Sequence, residues 1–217
     1  MKTKIILIIF GFFALMSSCL AAETINHNVP SIKPVDGDLS YPWSILLYRG
    51  WMTTNTLGQV LTFDYKRQQE GSLYAAELSY ELSPDNPVRE FFQPIVGTMN
   101  IALNTAYQED PAGPVYELNP VLIFRWTHFP WNQYVLTTLG AGEGISYASR
   151  ILSREYKGVD KTNHLLNFLM FEATFAMPSH PRWEFVWRLH HRSGAYNMYD
   201  AENSGSTAFG FGIRYSF

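Results

Sequence analysis

The sequence predicts an all-β fold: an eight-stranded antiparallel transmembrane β-barrel with short periplasmic turns and longer extracellular loops. Three observations predict it. The chain ends in an alternating, aromatic segment; its composition is rich in aromatics and poor in charge; and eight strand-length segments are joined by connections of alternating length.

The last segment is Ser206-Thr-Ala-Phe-Gly-Phe-Gly-Ile-Arg-Tyr-Ser-Phe217. One set of alternate positions reads Thr207, Phe209, Phe211, Ile213, Tyr215 and Phe217; the other reads Ser206, Ala208, Gly210, Gly212, Arg214 and Ser216. A strand sends successive side chains to opposite faces, so one face is greasy and aromatic and the other small and polar. A soluble sandwich strand can alternate in the same way. The terminal Phe favours the closing strand of an outer-membrane barrel, for which the barrel-assembly machinery is an expected partner.

Aromatic residues make up 16% of the chain and charged residues 16%, against about 25% charge in a typical soluble domain. A lipid-facing wall without charge and aromatic rims explain both values. The net charge of −3 provides no basic field, and nucleic acid is not an expected partner. The chain opens with Met1-Lys-Thr-Lys4, an apolar run from Ile5 to Met16 and the small residues Ser17-Ser-Cys-Leu-Ala-Ala22. This pattern reads as a signal peptide over 1–22, too short for a spanning helix, with cleavage after Ala21 or Ala22. Met16-Ser-Ser-Cys19 loosely resembles a lipoprotein processing site, in which Cys19 would be lipidated. With one cysteine, no intramolecular disulfide forms. Residues 23–40 are polar, contain Pro30, Pro34 and Gly37, and read as a periplasmic leader ahead of a barrel over 41–217. No later segment holds eighteen uninterrupted apolar residues, which excludes helical spans.

The expected strands are Trp43–Trp51, Ser72–Leu82, Ile95–Tyr107, Tyr116–Thr127, Gln133–Tyr147, His164–Met177, Arg182–Ser193 and Ser206–Phe217. Most match the roughly 9–11 residues a tilted strand needs to cross the hydrocarbon. With periplasmic termini, His128-Phe-Pro-Trp-Asn132 and Pro178-Ser-His-Pro181 are short periplasmic turns, while 52–71, 108–115, 148–163 and 194–205 are outer loops. The connection 83–94 is longer than that scheme wants. Leu57–Lys66 has strand-like composition and is placed in the first outer loop as a short helix or hairpin extension, because a ninth strand would break the even count.

Alternation puts Leu118, Pro120, Leu122, Phe124 and Trp126 on lipid, with Glu117, Asn119 and Arg125 inward. It likewise puts Tyr74, Ala76, Leu78, Tyr80 and Leu82 outward, with Glu77, Ser79 and Glu81 inward. Glu143, Glu172, Glu184, Arg188 and Arg214 are also expected inside. Eight strands enclose a lumen that side chains fill, so these charges are expected to pair into a plug. Trp126, Phe129, Trp131 and Tyr134 are expected to form the periplasmic aromatic girdle, ligand stacking being the alternative.

Residues able to do chemistry lie in the seventh strand. Its outward row is Trp183, Phe185, Trp187, Leu189, His191 and Ser193, so an imidazole and a hydroxyl end an apolar row at headgroup level. Residues two apart share a face, which lets His191 take the proton of Ser193, as nucleophilic catalysis requires. Thr207, the outward position nearest the loop on the last strand, approaches His191 from the side. His190 and Arg192 point inward; for Arg192, lipid phosphates are an alternative to a structural salt bridge. Gly140-Ala-Gly-Glu-Gly144 sits within a strand and reads as close packing, not a phosphate loop, and no zinc-type ligand spacing occurs.

The segment Phe171-Glu172, the strand ending His191-Arg-Ser193 and the aromatic-ended last strand resemble the PagL-type lipid A 3-O-deacylases (acyloxyacyl hydrolase-like outer-membrane barrels). The motif-level match covers about the last fifty residues. The resemblance implies an esterase without metal or cofactor that removes an acyl chain from lipid A, the lipid anchor of lipopolysaccharide. It implies Ser193 as nucleophile and His191 as general base. This chain departs from the family pattern at two positions: Gly194 stands where Asn usually follows the Ser, and Thr207 stands where Asn-x-Gly-x-Glu places an acid. The Gly194 N–H is then expected to help hold the oxyanion. Thr207 is expected to fix the imidazole tautomer without charge, with Asp200 or Glu202 the carboxylates able to fold back. Two rivals stand beside the esterase: a non-catalytic outer-membrane barrel with a structural or lipid-binding role, and a soluble lipocalin-type carrier with its apolar face inside.

Overall fold

The structure is a computed structural model; it describes residues 41–53, 57, 59, 68–93, 95–156, 161–195, 198–201 and 204–217. The expected signal peptide, Cys19, the leader and most of Leu57–Lys66 lie outside the described residues.

Eight strands close a barrel in sequence order: β1 Trp43–Thr53, β2 Gln68–Glu81, β3 Thr98–Gln108, β4 Val115–Trp126, β5 Leu136–Ala148, β6 Leu165–Ala176, β7 Trp183–Ser193 and β8 Gly205–Ser216. Every neighbouring pair is antiparallel, and β1 meets β8 from Ser44↔Ser216 to Thr53↔Thr207. The terminal Phe217 extends that seam: its N–H donates to the Trp43 carbonyl at 2.8 Å and its carbonyl accepts from the Trp43 N–H at 3.2 Å. Closure leaves no unpaired edge, which hydrocarbon would penalise.

The exterior is apolar. Leu47 is 61% exposed, and Ile45, Leu78, Ile101, Leu103, Phe185, Phe211 and Ile213 share its outward parity. Aromatic pairs mark both rims. Trp43–Tyr80 and Trp183–Tyr215 lie at the end that carries the termini, and Tyr74–Tyr107 and Tyr107–Tyr116 at the other. A closed barrel with a greasy exterior and charged interior is a bacterial outer-membrane barrel. The soluble-carrier alternative requires the inverse arrangement and is set aside.

The lumen is plugged by ion pairs in two layers. In the lower layer Glu172 receives Arg125, Arg188 and Arg214; Arg188 also holds Glu77, and Arg214 holds Glu184. Glycines make the room: a Cβ at Gly140 would stand 2.9 Å from Glu172 Cγ, and one at Gly142 would meet Met170 at 2.8 Å. In the upper layer His190 Nε2 donates to Glu117 at 2.8 Å while its Nδ1 accepts from the Tyr48 hydroxyl at 2.7 Å. Arg192, fully buried, pairs with Glu117 and with Glu155, which a 3₁₀ turn at Ser153–Tyr156 lowers into the mouth. That engagement replaces the lipid-phosphate alternative for Arg192.

Four expectations are corrected. Glu143 faces outward: it shares parity with Ile145 and Tyr147, and it is exposed on the lipid side. The connection 83–94 holds a short helix, α1, at Pro87–Phe92, capped by Asn86, whose side chain accepts from the Val88 and Arg89 N–H groups. Arg89 anchors α1 to the rim through Glu81 at 3.0 Å and the carbonyls of Leu82 and Gly97. Trp126 is consequently covered, packed with Leu82, Val96 and Met99 beside Phe92, while Trp131 and Tyr134 stay exposed as girdle residues. Lastly, β5 begins at Leu136, not Gln133, because Asn132 caps the preceding turn by accepting the Thr137 N–H.

Candidate functional site

On the outer wall, toward the loop end of β7 and β8, the apolar row gives way to polar groups. His191 and Thr207 are register partners, and the His191 Nδ1 to Thr207 Oγ1 distance is 2.9 Å. With Nδ1 protonated, the imidazole donates to the hydroxyl, and Nε2 is the nitrogen left to act as base. Thr207 is 4% exposed, so this contact is shielded from water. Ser193 follows two residues along β7 on the same outward face, about 6.6 Å away at Cα. It pairs with Asn167 on one side and Gly205 on the other.

The polar row extends further than the sequence reading drew it. Asn167 faces outward on β6, opposite Ile145 and Ser193 and diagonal to Glu143 on β5. Glu143, Asn167, Ser193, His191 and Thr207 therefore form one polar band across four adjacent strands of an otherwise greasy wall. Ionisable groups facing a bilayer are costly and mark functional surfaces.

The described residues of the last outer loop are bonded closely to one another next to this band. The Gly194 N–H donates to the Ser204 carbonyl at 2.9 Å, and the Met198 N–H donates to the Gly194 carbonyl at 3.0 Å. The Gly194 N–H, the donor expected to help hold an oxyanion, is in this structure engaged with the Ser204 carbonyl. What requires glycine there is close approach: a Cβ would stand 2.0 Å from the Ala201 carbonyl oxygen. Gly194→Ala is expected to push this loop away at a cost of about 1–3 kcal/mol. Limited proteolysis should then cut faster within 194–204 while the barrel keeps its heat-dependent gel migration.

Of the two acids expected to fold back, Asp200 is the one among the described residues, and it does not reach the imidazole. Asp200, with φ of +56°, turns to an ion pair with Lys161, and Glu202 lies outside the described residues. The loop is tied down by Thr162 Oγ1 and Ser204 Oγ at 2.6 Å and by Asn163 donating to the Tyr199 carbonyl at 3.3 Å. Beyond it, Asp110 organises the neighbouring outer loops. Burial opposes ionisation of its carboxyl, but hydrogen bonds from Ser153 and Ala112 outweigh it and hold the group below its ordinary range. Among the described residues no group of three His, Cys, Asp or Glu side chains is arranged to hold a metal ion.

No protein-family model matches the chain, and no curated protein matches it in sequence. Solved structures similar in form include three outer-membrane proteins. One is the outer membrane enzyme PagL, with a TM-score of 0.49 and 14% identity over 80% of this chain and 99% of that one. Another is Neisserial surface protein A (NspA), with a TM-score of 0.46 and 13% identity over 81% of this chain and 96% of that one. The third is the Yersinia pestis outer membrane protein Ail in a phospholipid bilayer nanodisc, with a TM-score of 0.40 and 13% identity over 82% and 99%.

Proposed function

We propose that this barrel is an outer-membrane esterase that hydrolyses an ester-linked acyl chain of lipid A by a Ser/His mechanism on its lipid-facing wall. The observation that carries the reading is the His191–Thr207 hydrogen bond of 2.9 Å in the same outward row as Ser193. Ser193 attacks the ester carbonyl, His191 Nε2 takes its proton and returns it to the leaving alcohol, and Thr207 fixes the tautomer. The bilayer itself presents the substrate, so a shallow wall suffices where a soluble enzyme needs a pocket. The resemblance of His191-Arg-Ser193 to the PagL-type deacylases supports the same assignment. Export by residues 1–22 and insertion by the barrel-assembly machinery through β8 belong to this reading.

A second reading is favoured by Thr207 and Gly194: with no carboxylate at the imidazole among the described residues and the Gly194 N–H engaged to Ser204, the chain would be a non-catalytic, lipid-binding barrel. Mass spectrometry of lipid A from cells producing the wild type or Ser193→Ala separates the two. The esterase loses one acyl chain from lipid A with the wild type only. Identical spectra for both and for an empty vector select the non-catalytic barrel.

A further inference from the structure

We infer that Asn167, oriented by Glu143, donates the hydrogen bond that holds the oxyanion at Ser193; this rests on the esterase reading above. With Gly194 engaged to Ser204, a donor must come from elsewhere on the wall, and the register supplies one. Asn167 stands directly across from Ser193 on β6. Directly opposed residues hold their Cβ atoms about 4.5–5.5 Å apart. The oxyanion forms two bonds beyond Ser193 Oγ, on the carbonyl carbon that Oγ attacks, within reach of the Asn167 amide.

Glu143 explains why the amide presents N–H and not C=O. An ionised carboxylate only accepts hydrogen bonds, and an Asn amide carries two donors on one nitrogen. Asn167 lies diagonal to Glu143 across the β5–β6 pair, and toward an ionised carboxylate its amide turns the NH₂, leaving the second N–H for the substrate. Glu143 does not replace the family acid. It shares a row with Leu169 and His191, placing it two strand spacings, about 10 Å, from His191, and Nδ1 is turned the other way, to Thr207. Its role is positioning, which accounts for a carboxylate among the apolar side chains of this part of the wall.

Ser193 Oγ bonds to the carbonyl carbon while its proton passes to His191 Nε2, and the carbonyl π pair moves onto oxygen, where the Asn167 N–H receives it. Collapse restores the carbonyl and breaks the bond to the sugar oxygen, which leaves as an alcohol with the proton from His191. Water then repeats the sequence on the acyl-serine and releases the fatty acid.

The test uses the full barrel in detergent micelles with two probes. A long-chain alkyl p-nitrophenyl phosphonate labels an activated serine, and a long-chain p-nitrophenyl ester gives kcat and KM. The wild type is expected to be phosphonylated at Ser193. Asn167→Ala and the near-isosteric Asn167→Asp should each lower the labelling rate and kcat by about 10²–10³-fold, with KM little changed. Glu143→Leu should lower kcat about tenfold, and Asn167→Gln, which keeps the amide, should recover part of the loss. Labelling of Asn167→Ala and Asn167→Asp at the rate of a labelled wild type overturns the inference alone. A wild type unlabelled at Ser193 overturns the esterase reading and the inference with it. If Asn167→Ala fails to yield a heat-modifiable barrel, Asn167→Leu, apolar on the lipid side, reads the same quantity.

Discussion

Replacing Thr207 by glutamate is expected to raise acyl-ester hydrolysis by about 10²–10⁴-fold. The Thr207 hydroxyl already sits 2.9 Å from His191 Nδ1, so it meets the geometric requirement on the imidazole's partner. It cannot meet the electrostatic one. When Ser193 gives up its proton the imidazole becomes a cation, and a neutral hydroxyl offers no opposing charge. In a serine protease, exchanging the corresponding carboxylate for an amide leaves geometry intact and costs about 10⁴ in rate. Thr207→Glu supplies the missing charge at a position 4% exposed, where it is weakly screened. The measurement is kcat on a long-chain p-nitrophenyl ester, with the lipid A mass spectrum as a second readout. A silent parent switched on by Thr207→Glu would identify the native chain as a non-catalytic relative. A rate unchanged by the substitution would contradict the assigned role of Thr207.

The second large effect is on stability. Glu172→Ala is expected to cost about 3–5 kcal/mol, because removing one member of a buried ion cluster leaves uncompensated charge. Glu172 faces Arg125, Arg188 and Arg214 at once. Glu77 and Glu184 remain, but Glu77 is already engaged by Arg188 and Arg214, and Glu184 by Arg214. Glu172→Gln should cost less, since an amide still fills the space opposite Gly140. The urea midpoint at which the fast-migrating folded band disappears reads both variants. A midpoint for Glu172→Ala equal to that of the wild type would show that the plug contributes nothing to stability.

Much of this fold was legible because most strands carry an unambiguous row of large apolar residues on one face. β8, β4 and β2 each show it, and their facing and approximate limits follow from alternation alone. The errors fall where that row is missing. In β5, Gly140-Ala-Gly-Glu-Gly144 has small residues on both faces, so the expectation that charge points inward prevailed over the parity of Leu139, Ile145 and Tyr147. Counting by twos from those residues places Glu143 outside. In β6, Leu165-Leu-Asn-Phe-Leu-Met-Phe171 is apolar on both faces, and Asn167 gave no alternation signal to read. Its function depends on register with Ser193, which only the assembled barrel supplies. Helix α1 did carry a local signal, Asn86 followed by Pro87 with Glu90 in the first turn, a normal helix start. The committed N–H of Gly194 has no sequence signature at all, because its partner Ser204 lies across an outer loop.

The central claim is that the polar band of β5–β8 lies against the bilayer. Single cysteines at Glu143, Asn167 and Ser193, in a Cys19→Ser background, can each carry an environment-sensitive fluorophore in reconstituted vesicles. Lipids brominated near the headgroup should quench the fluorophore at these positions strongly, and far more than one attached on the exposed turn at Ser179. Fluorescence indifferent to brominated lipid at Glu143 and Ser193 would contradict the orientation, and the proposed chemistry with it.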